Sequence, residues 1–341
     1  MTTAPHDDLD DVYLWDPETP PSAEVRAVER RLAPLRFEPE ATPLDWTRAG
    51  AFVVRRRHPT WLYALAAAAV LVVAVGSLAA WRWSWPAGRP WPIDAAPAGA
   101  ARSLAVGAAL DLPATDRMHL RVARIGTMQI DGDTRLTLRS TQGTRHRLTL
   151  DRGTVHVRVW APPGSLSFQT PAGEVIDLGC EFDLTADGVR SVVRVRSGWV
   201  QLDNSLDESL VPAGAMSEMR ADRVPGVAVF EDASPDFMAA VRALEAGAAD
   251  GDVLRRIIVA ARPRDVYTLL MLVERGEFGS DLLARRAADL WPPPAGVTVG
   301  AILRGNRDAL WQWRDTLPLP PPKSWLRNWR DALPSWFADR R

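Results

Sequence analysis

The pattern of apolar and polar residues changes period several times along the chain, and each change marks a predicted element. Residues 1–21 show no apolar period and are acidic and proline-containing, which predicts little fixed structure. From Ser22, a residue suited to capping a helix, Val25, Val28, Leu32 and Leu35 recur at spacings of three and four. They predict one amphipathic helix over 22–35, kept short by Pro34 and Pro39. Trp61–Trp81, WLYALAAAAVLVVAVGSLAAW, then carries no charged residue over the length a helix needs to cross roughly 30 Å of hydrocarbon. This predicts one transmembrane helix over 60–82. Four prolines and two glycines between Pro86 and Gly99 predict a stiff linker over 86–101.

The period falls to two over 104–220. Segments such as Met118–Ile125, Arg147–Leu150, Val155–Trp160, Val192–Val195 and Trp199–Leu202 alternate apolar with polar. Turn signals at Asp131-Gly132, Asp151-Arg152-Gly153 and Pro162-Pro163-Gly164 punctuate them. The rhythm predicts a mainly β domain, an antiparallel sandwich or roll, with Leu148, Leu150, Val155, Val157 and Val159 inward and the intervening Arg and His residues, His146 and His156 among them, toward water. From Ser234 the period returns to about 3.6 and predicts a small α-helical region over 234–338. Its helices are capped at Ser234, Ser280 and Asn306. In the final stretch Trp325, Trp329, Leu333 and Trp336 predict a helix that docks an aromatic face on this bundle; the alternative is a Trp–Arg surface for lipid or an anionic polymer.

Charge gives the span an orientation. Arg55, Arg56, Arg57 and His58 crowd its start, and Trp81, Trp83 and Trp85 belt its end, which predicts a cytoplasmic N-terminal segment over 1–57 and everything beyond about residue 86 outside. Two rivals remain: a cleaved signal peptide, for which Ser77-Leu78-Ala79 supplies small residues, and a buried core helix. A helix as short as 22–35 is marginal alone in water. Its seam of Val25, Val28, Leu32 and Leu35 is therefore the candidate binding site for a cytoplasmic partner, with a membrane surface or disorder as the alternatives.

Residues 124–202 resemble the FecR domain of bacterial FecR-like transmembrane sensors. The motifs that carry the resemblance follow in order: Gly126 opening a strand, Leu150 to Gly153, the FQTP run at Phe168 to Pro171, the DLGCEF turn at Asp177 to Phe182, and VRSGWV at Val195 to Val200. It extends over about 104–220. The resemblance implies a single-pass regulator in the bacterial inner membrane, with periplasmic C-terminal domains and no enzymatic activity, acting on an extracytoplasmic-function sigma factor. Well-studied members carry a longer cytoplasmic helical domain than the 57 residues available here. A second reading is a membrane-tethered scaffold whose β-face binds peptidoglycan, polysaccharide or another envelope protein without signalling inward.

Candidate chemistry is sparse. The chain of 341 residues has a net charge of -1, which gives no reason to expect a nucleic-acid partner. Cys180 is the single cysteine, so no internal disulfide forms, and it reads as a small buried hydrophobe. His119, His146 and His156 do not fall into a His-x-His arrangement with a following Glu, and Gly-x-Ser-x-Gly, phosphate-loop and dinucleotide signatures are missing. No cofactor, metal site or catalytic residue is expected. Gly153, Gly179 and Gly198 fall between strands and read as structural.

Overall fold

The computed structural model describes residues 20–35, 60–97, 101–248 and 250–320. Residues 1–67 and residues 68–341 are two separate compact units. The expected N-terminal helix is present as α1 (Ala23–Leu32), followed by a 3-10 turn at Ala33–Leu35. Ser22 caps it, its Oγ accepting the Val25 N–H at 3.3 Å. The apolar run forms α2 (Thr60–Trp83), 24 residues long. Among the described residues, no helix is long and apolar enough to cross a membrane. The transmembrane helix expected over 60–82 is thus not supported among the described residues. The Trp-rich stretch at Trp325, Trp329, Leu333 and Trp336 lies outside the described residues.

Fifteen strands follow among the described residues. They are β1 (Trp91–Ala95), β2 (Ser103–Leu104), β3 (Ala109–Leu112), β4 (Met118–Val122), β5 (Gly126–Ile130), β6 (Thr134–Gln142), β7 (Arg145–Val159) and β8 (Leu166–Thr170), then β9 (Gly173–Asp177), β10 (Glu181–Ala186), β11 (Arg190–Ser197), β12 (Trp199–Asp203), β13 (Glu208–Pro212), β14 (Ala215–Arg220) and β15 (Val229–Phe230). The expected mainly β domain is therefore present, and β7 organises it. Residues 145–152 of β7 pair with β6, while residues 153–159 pair with β5 and β10. One long strand thus serves two arms of the network, running β3-β6-β7-β8-β9-β12-β13 and β1-β4-β5-β7-β10-β11-β14-β15.

Gly153 sits where β7 passes between the arms. Its φ is +99°, and a Cβ there would come within 2.4 Å of the Thr134 Cα, so only glycine fits. The turn expected at Asp151–Gly153 is instead continuous strand: Arg152 pairs with Arg135 and Gly153 with Ala186, while Asp151 falls at a register shift between β6 and β7. Two further expectations are corrected. The pairing is not wholly antiparallel, since β7 and β8 run parallel from His146↔Leu166 to Thr149↔Gln169. Residues 86–101 are not a plain linker: β1 pairs with β2 and β4, and buried Trp91 donates its indole N–H to Thr141 Oγ1 at 3.0 Å.

The helical region comprises α3 (Pro235–Glu245), α4 (Gly251–Ala260), α5 (Val266–Glu274), α6 (Ser280–Leu290), α7 (Val299–Leu303) and α8 (Arg307–Arg314). Ser234 and Asn306 cap α3 and α8 as their positions predict, accepting from Phe237 N and Ala309 N. Ser280 does not cap α6; Gly279, at φ +77°, holds that position, and the Ser280 hydroxyl donates to the Glu277 carbonyl. α5 is buried from Val266 through Val273. It is held to the strands by Tyr267 Oη, which donates to the Leu210 carbonyl at 2.9 Å, and by Thr268 Oγ1, which donates to the Ala228 carbonyl at 2.7 Å. The β region and the helices share one hydrophobic core, which runs from Trp85 to Leu317.

Candidate functional site

The seam expected to bind a partner lies on α1 and the turn after it. Within its own unit Val25 is half-buried, and Val28, Leu32 and Leu35 are 55%, 54% and 79% exposed. The helix buries none of its residues. Spacings of three and four place Val25, Val28 and Leu32 as a stripe on one face of α1, and Leu35 follows in the 3-10 turn. Glu24 in the first turn and Arg30 and Arg31 in the last complement the helix dipole and leave that stripe apolar.

A second candidate surface was not read from the sequence. Ladder pairing aligns His119, Gln129, His156, Asp183 and Arg194 in one row across β4, β5, β7, β10 and β11. His156 lies between two carboxylates: its Nδ1 is 2.6 Å from Asp183 Oδ1 and its Nε2 is 2.9 Å from Asp131 Oδ2. Arg196 holds the other Asp183 oxygen at 2.8 Å, and Gln129 donates to Asp131 Oδ1 at 3.0 Å. Burial pulls the His156 pKa down, but the two carboxylates outweigh it and the net displacement is upward. Burial pushes Asp183 and Asp131 up, and Arg196, Gln129 and the imidazolium more than reverse that, leaving both below the usual carboxylate range. The row borders an open depression of about 380 Å³. His156 therefore points outward as its position in the alternation predicts, but as a paired group rather than a free one. The signal available in the sequence was Asp131 in a turn and Asp183 at an outward strand position.

His146 departs from expectation. It is 1% exposed, its Nδ1 is 2.7 Å from Thr141 Oγ1, and its ring meets that of Trp91 edge-on at 5.6 Å. Burial lowers its pKa to about 4, so the ring is neutral at ordinary pH. Cys180 is buried, its N–H donating to Asp177 Oδ1 at 2.8 Å. Gly198, at φ +75°, could not carry a Cβ, which would meet the Gly179 carbonyl oxygen at 2.4 Å. Among the described residues, no group of His, Cys, Asp and Glu side chains is placed to hold a metal ion. The arrangement is suited to recognition through a stripe and a polar row.

Residues 110–201, which run from β3 into β12, match the family described as FecR protein. No curated protein matches the chain. Two crystal structures of a Parabacteroides distasonis protein described as a "putative anti-sigma factor", at 1.65 and 2.50 Å resolution, are similar at 13% and 12% identity with TM-scores of 0.31 and 0.30. Each similarity covers 39% of this chain and 63% of the other, so the chain spans less than two thirds of those structures.

Proposed function

We propose, since residues 110–201 match the FecR protein family, that this protein is a non-enzymatic regulator of an extracytoplasmic-function sigma factor. The FecR match is the observation that carries the reading, and the unburied stripe on α1 supplies a place for the partner. In this reading the protein sits in the bacterial inner membrane with residues 1–57 in the cytoplasm and the β and helical regions in the periplasm. The uncharged run Trp61–Trp81 and the basic residues before it support that placement. So does the exposure of Leu65, Val70, Leu71, Val72, Val73 and Leu78 along α2, apolar side chains that water solvates poorly. The sigma factor covers Val25, Val28, Leu32 and Leu35 as a groove covers an amphipathic helix. An envelope signal biases that contact by favouring one of two states of the chain.

The experiment is co-purification of the tagged full chain with the cell's sigma factors, alongside a promoter reporter. Val28→Asp with Leu32→Asp should abolish capture and change reporter output to the level of a deletion strain. Capture that survives both substitutions, or no sigma factor in the eluate, would overturn the reading. A second reading is favoured by the polar row through His156: a membrane-tethered scaffold that binds an envelope polymer or protein on that face. Under it, substitutions around His156 release an envelope partner, while the α1 variants leave every phenotype unchanged.

A further inference from the structure

Between β14, the loop after it, α3 and the end of α5 lies a cavity of about 210 Å³. Met216, Val224, Val227, Val229 and Met238 form its apolar wall. At its buried side Glu245 Oε1 accepts the Val227 N–H at 2.5 Å and faces Arg275 Nη1 at 3.3 Å. The second arm of Arg275 donates to the Pro225 carbonyl, so this guanidinium is already engaged.

The exposed side is different. Arg220, Arg223 and Arg242 all line it. Arg220 holds Asp222 at 3.0 Å, and Arg223 reaches the same carboxylate only at 3.8 Å. The Arg242 guanidinium has neither an ion pair nor a hydrogen bond among the described residues. The acidic lining residues do not answer this charge: Glu218 faces Arg190 at 3.5 Å, Glu245 faces Arg275, and Glu277 is drawn to the same Arg275. Two guanidiniums with spare donors therefore stand at the mouth of an apolar chamber.

We propose that this cavity binds a small ligand that carries a carboxylate on an apolar stem. The stem lies against Met216 and Met238, whose flexible thioethers adapt to branched or linear shapes. The carboxylate takes paired, charge-assisted hydrogen bonds from Arg223 and Arg242, the geometry guanidinium favours. The volume is below the roughly 300–1,000 Å³ of pockets for drug-sized molecules, so the ligand is a short acid or a single terminal residue. That chemistry has two sources, a free carboxylic acid or the C-terminus of a peptide.

The test is isothermal titration calorimetry on the full chain in phospholipid nanodiscs with 4-methylpentanoate, N-acetyl-leucine and N-acetyl-leucinamide. At least one carboxylate should saturate, and the amide should bind tenfold more weakly or not at all. Tighter 4-methylpentanoate marks the free acid, and tighter N-acetyl-leucine marks a peptide end. Arg242→Ala, at an exposed position, should weaken binding at least fivefold with an unchanged melting temperature, and Met238→Trp should abolish it by filling the chamber. The proposal is overturned if neither carboxylate saturates, if the amide binds as tightly, or if Arg242→Ala leaves the affinity unchanged. No sigma factor is present in the assay, so its outcome is separate from that of the proposed function.

Discussion

His156 Nδ1 lies 2.6 Å from Asp183 Oδ1 while the opposite ring nitrogen faces Asp131 at 2.9 Å, an arrangement only an imidazolium satisfies, since both nitrogens must donate. The three residues come from β7, β10 and the turn after β5, so one proton links strands distant in sequence.

This fixes the sign of a pH effect. The His156 pKa is raised in the folded chain, so its contribution is complete below about pH 6.5, the ordinary value, and is lost as pH rises through the raised one. Asp131 and Asp183 are lowered, so their share is present above the ordinary carboxylate value and is lost only as pH falls through the lowered ones. His156→Asn should cost about 1–2 kcal/mol at pH 6, the worth of charge-assisted hydrogen bonds on a partly covered surface. The gap between variant and wild type should narrow in denaturant melts as pH rises through the raised value. A gap of constant size would show that the imidazolium has no part in it.

His146 should act with the opposite sign. Its pKa falls from 6.5 to about 4 in the folded chain, which corresponds to about 3 kcal/mol of stability present at neutral pH. The unfolded chain takes up the proton first, so that stability drains away between about pH 6.5 and 4. His146→Gln keeps an amide within reach of Thr141 and cannot titrate. Its midpoint in urea should therefore vary less with pH over that interval than the wild type's, and a parallel profile would assign the acid sensitivity to other groups.

These two histidines also mark where the sequence is readable. Alternation alone places His146 with Leu148 and Leu150, and all three are buried; reading it by polarity rather than by position puts it in water. His156 follows its position, but its partners come from other strands, and no local pattern carries that. The strand rhythm, the FecR motifs and the caps at Ser22, Ser234 and Asn306 are local properties, so they were legible. Strand β1 was hidden by prolines that mimic a linker, since Pro92 sits in a strand where ladder partners are few. The parallel β7–β8 pair and the cavity arise from how distant segments meet.

Gly153 and Gly143 offer a matched comparison, because both have positive φ, +99° and +58°, but only the first is enclosed. A Cβ at Gly143 meets nothing within 4 Å, so Gly143→Ala should cost about 1 kcal/mol from backbone strain alone. At Gly153 the added carbon would overlap the backbone of Thr134, and Thr134 Oγ1 accepts the Thr154 N–H at 3.1 Å and cannot retreat without losing it. Gly153→Ala should therefore cost more than 3 kcal/mol, as severe core substitutions do, and shift the melting temperature several times as far as Gly143→Ala. Equal shifts would mean that β7 bends elsewhere as it changes arms.

Cys180 turns this architecture into a reporter of its own opening. Its side chain is 0% exposed, it lies between β9 and β10, and its thiol is hydrogen-bonded to Asp177 Oδ1. A thiolate is the reactive species, and a large reagent such as dithionitrobenzoate needs a path to it that the folded chain does not provide. Labelling should therefore be slow in buffer and complete at once in denaturant, with a native rate that tracks the population of the opened state. Leu184→Ala, which hollows the core beside β10 at a cost of about 2–5 kcal/mol, should speed labelling by the corresponding factor. Gly143→Ala should speed it by little more than its small cost in stability. If the native thiol reacts as fast as a free one, or if Leu184→Ala leaves the rate unchanged, the β9–β10 corner opens independently of the core that β7 organises.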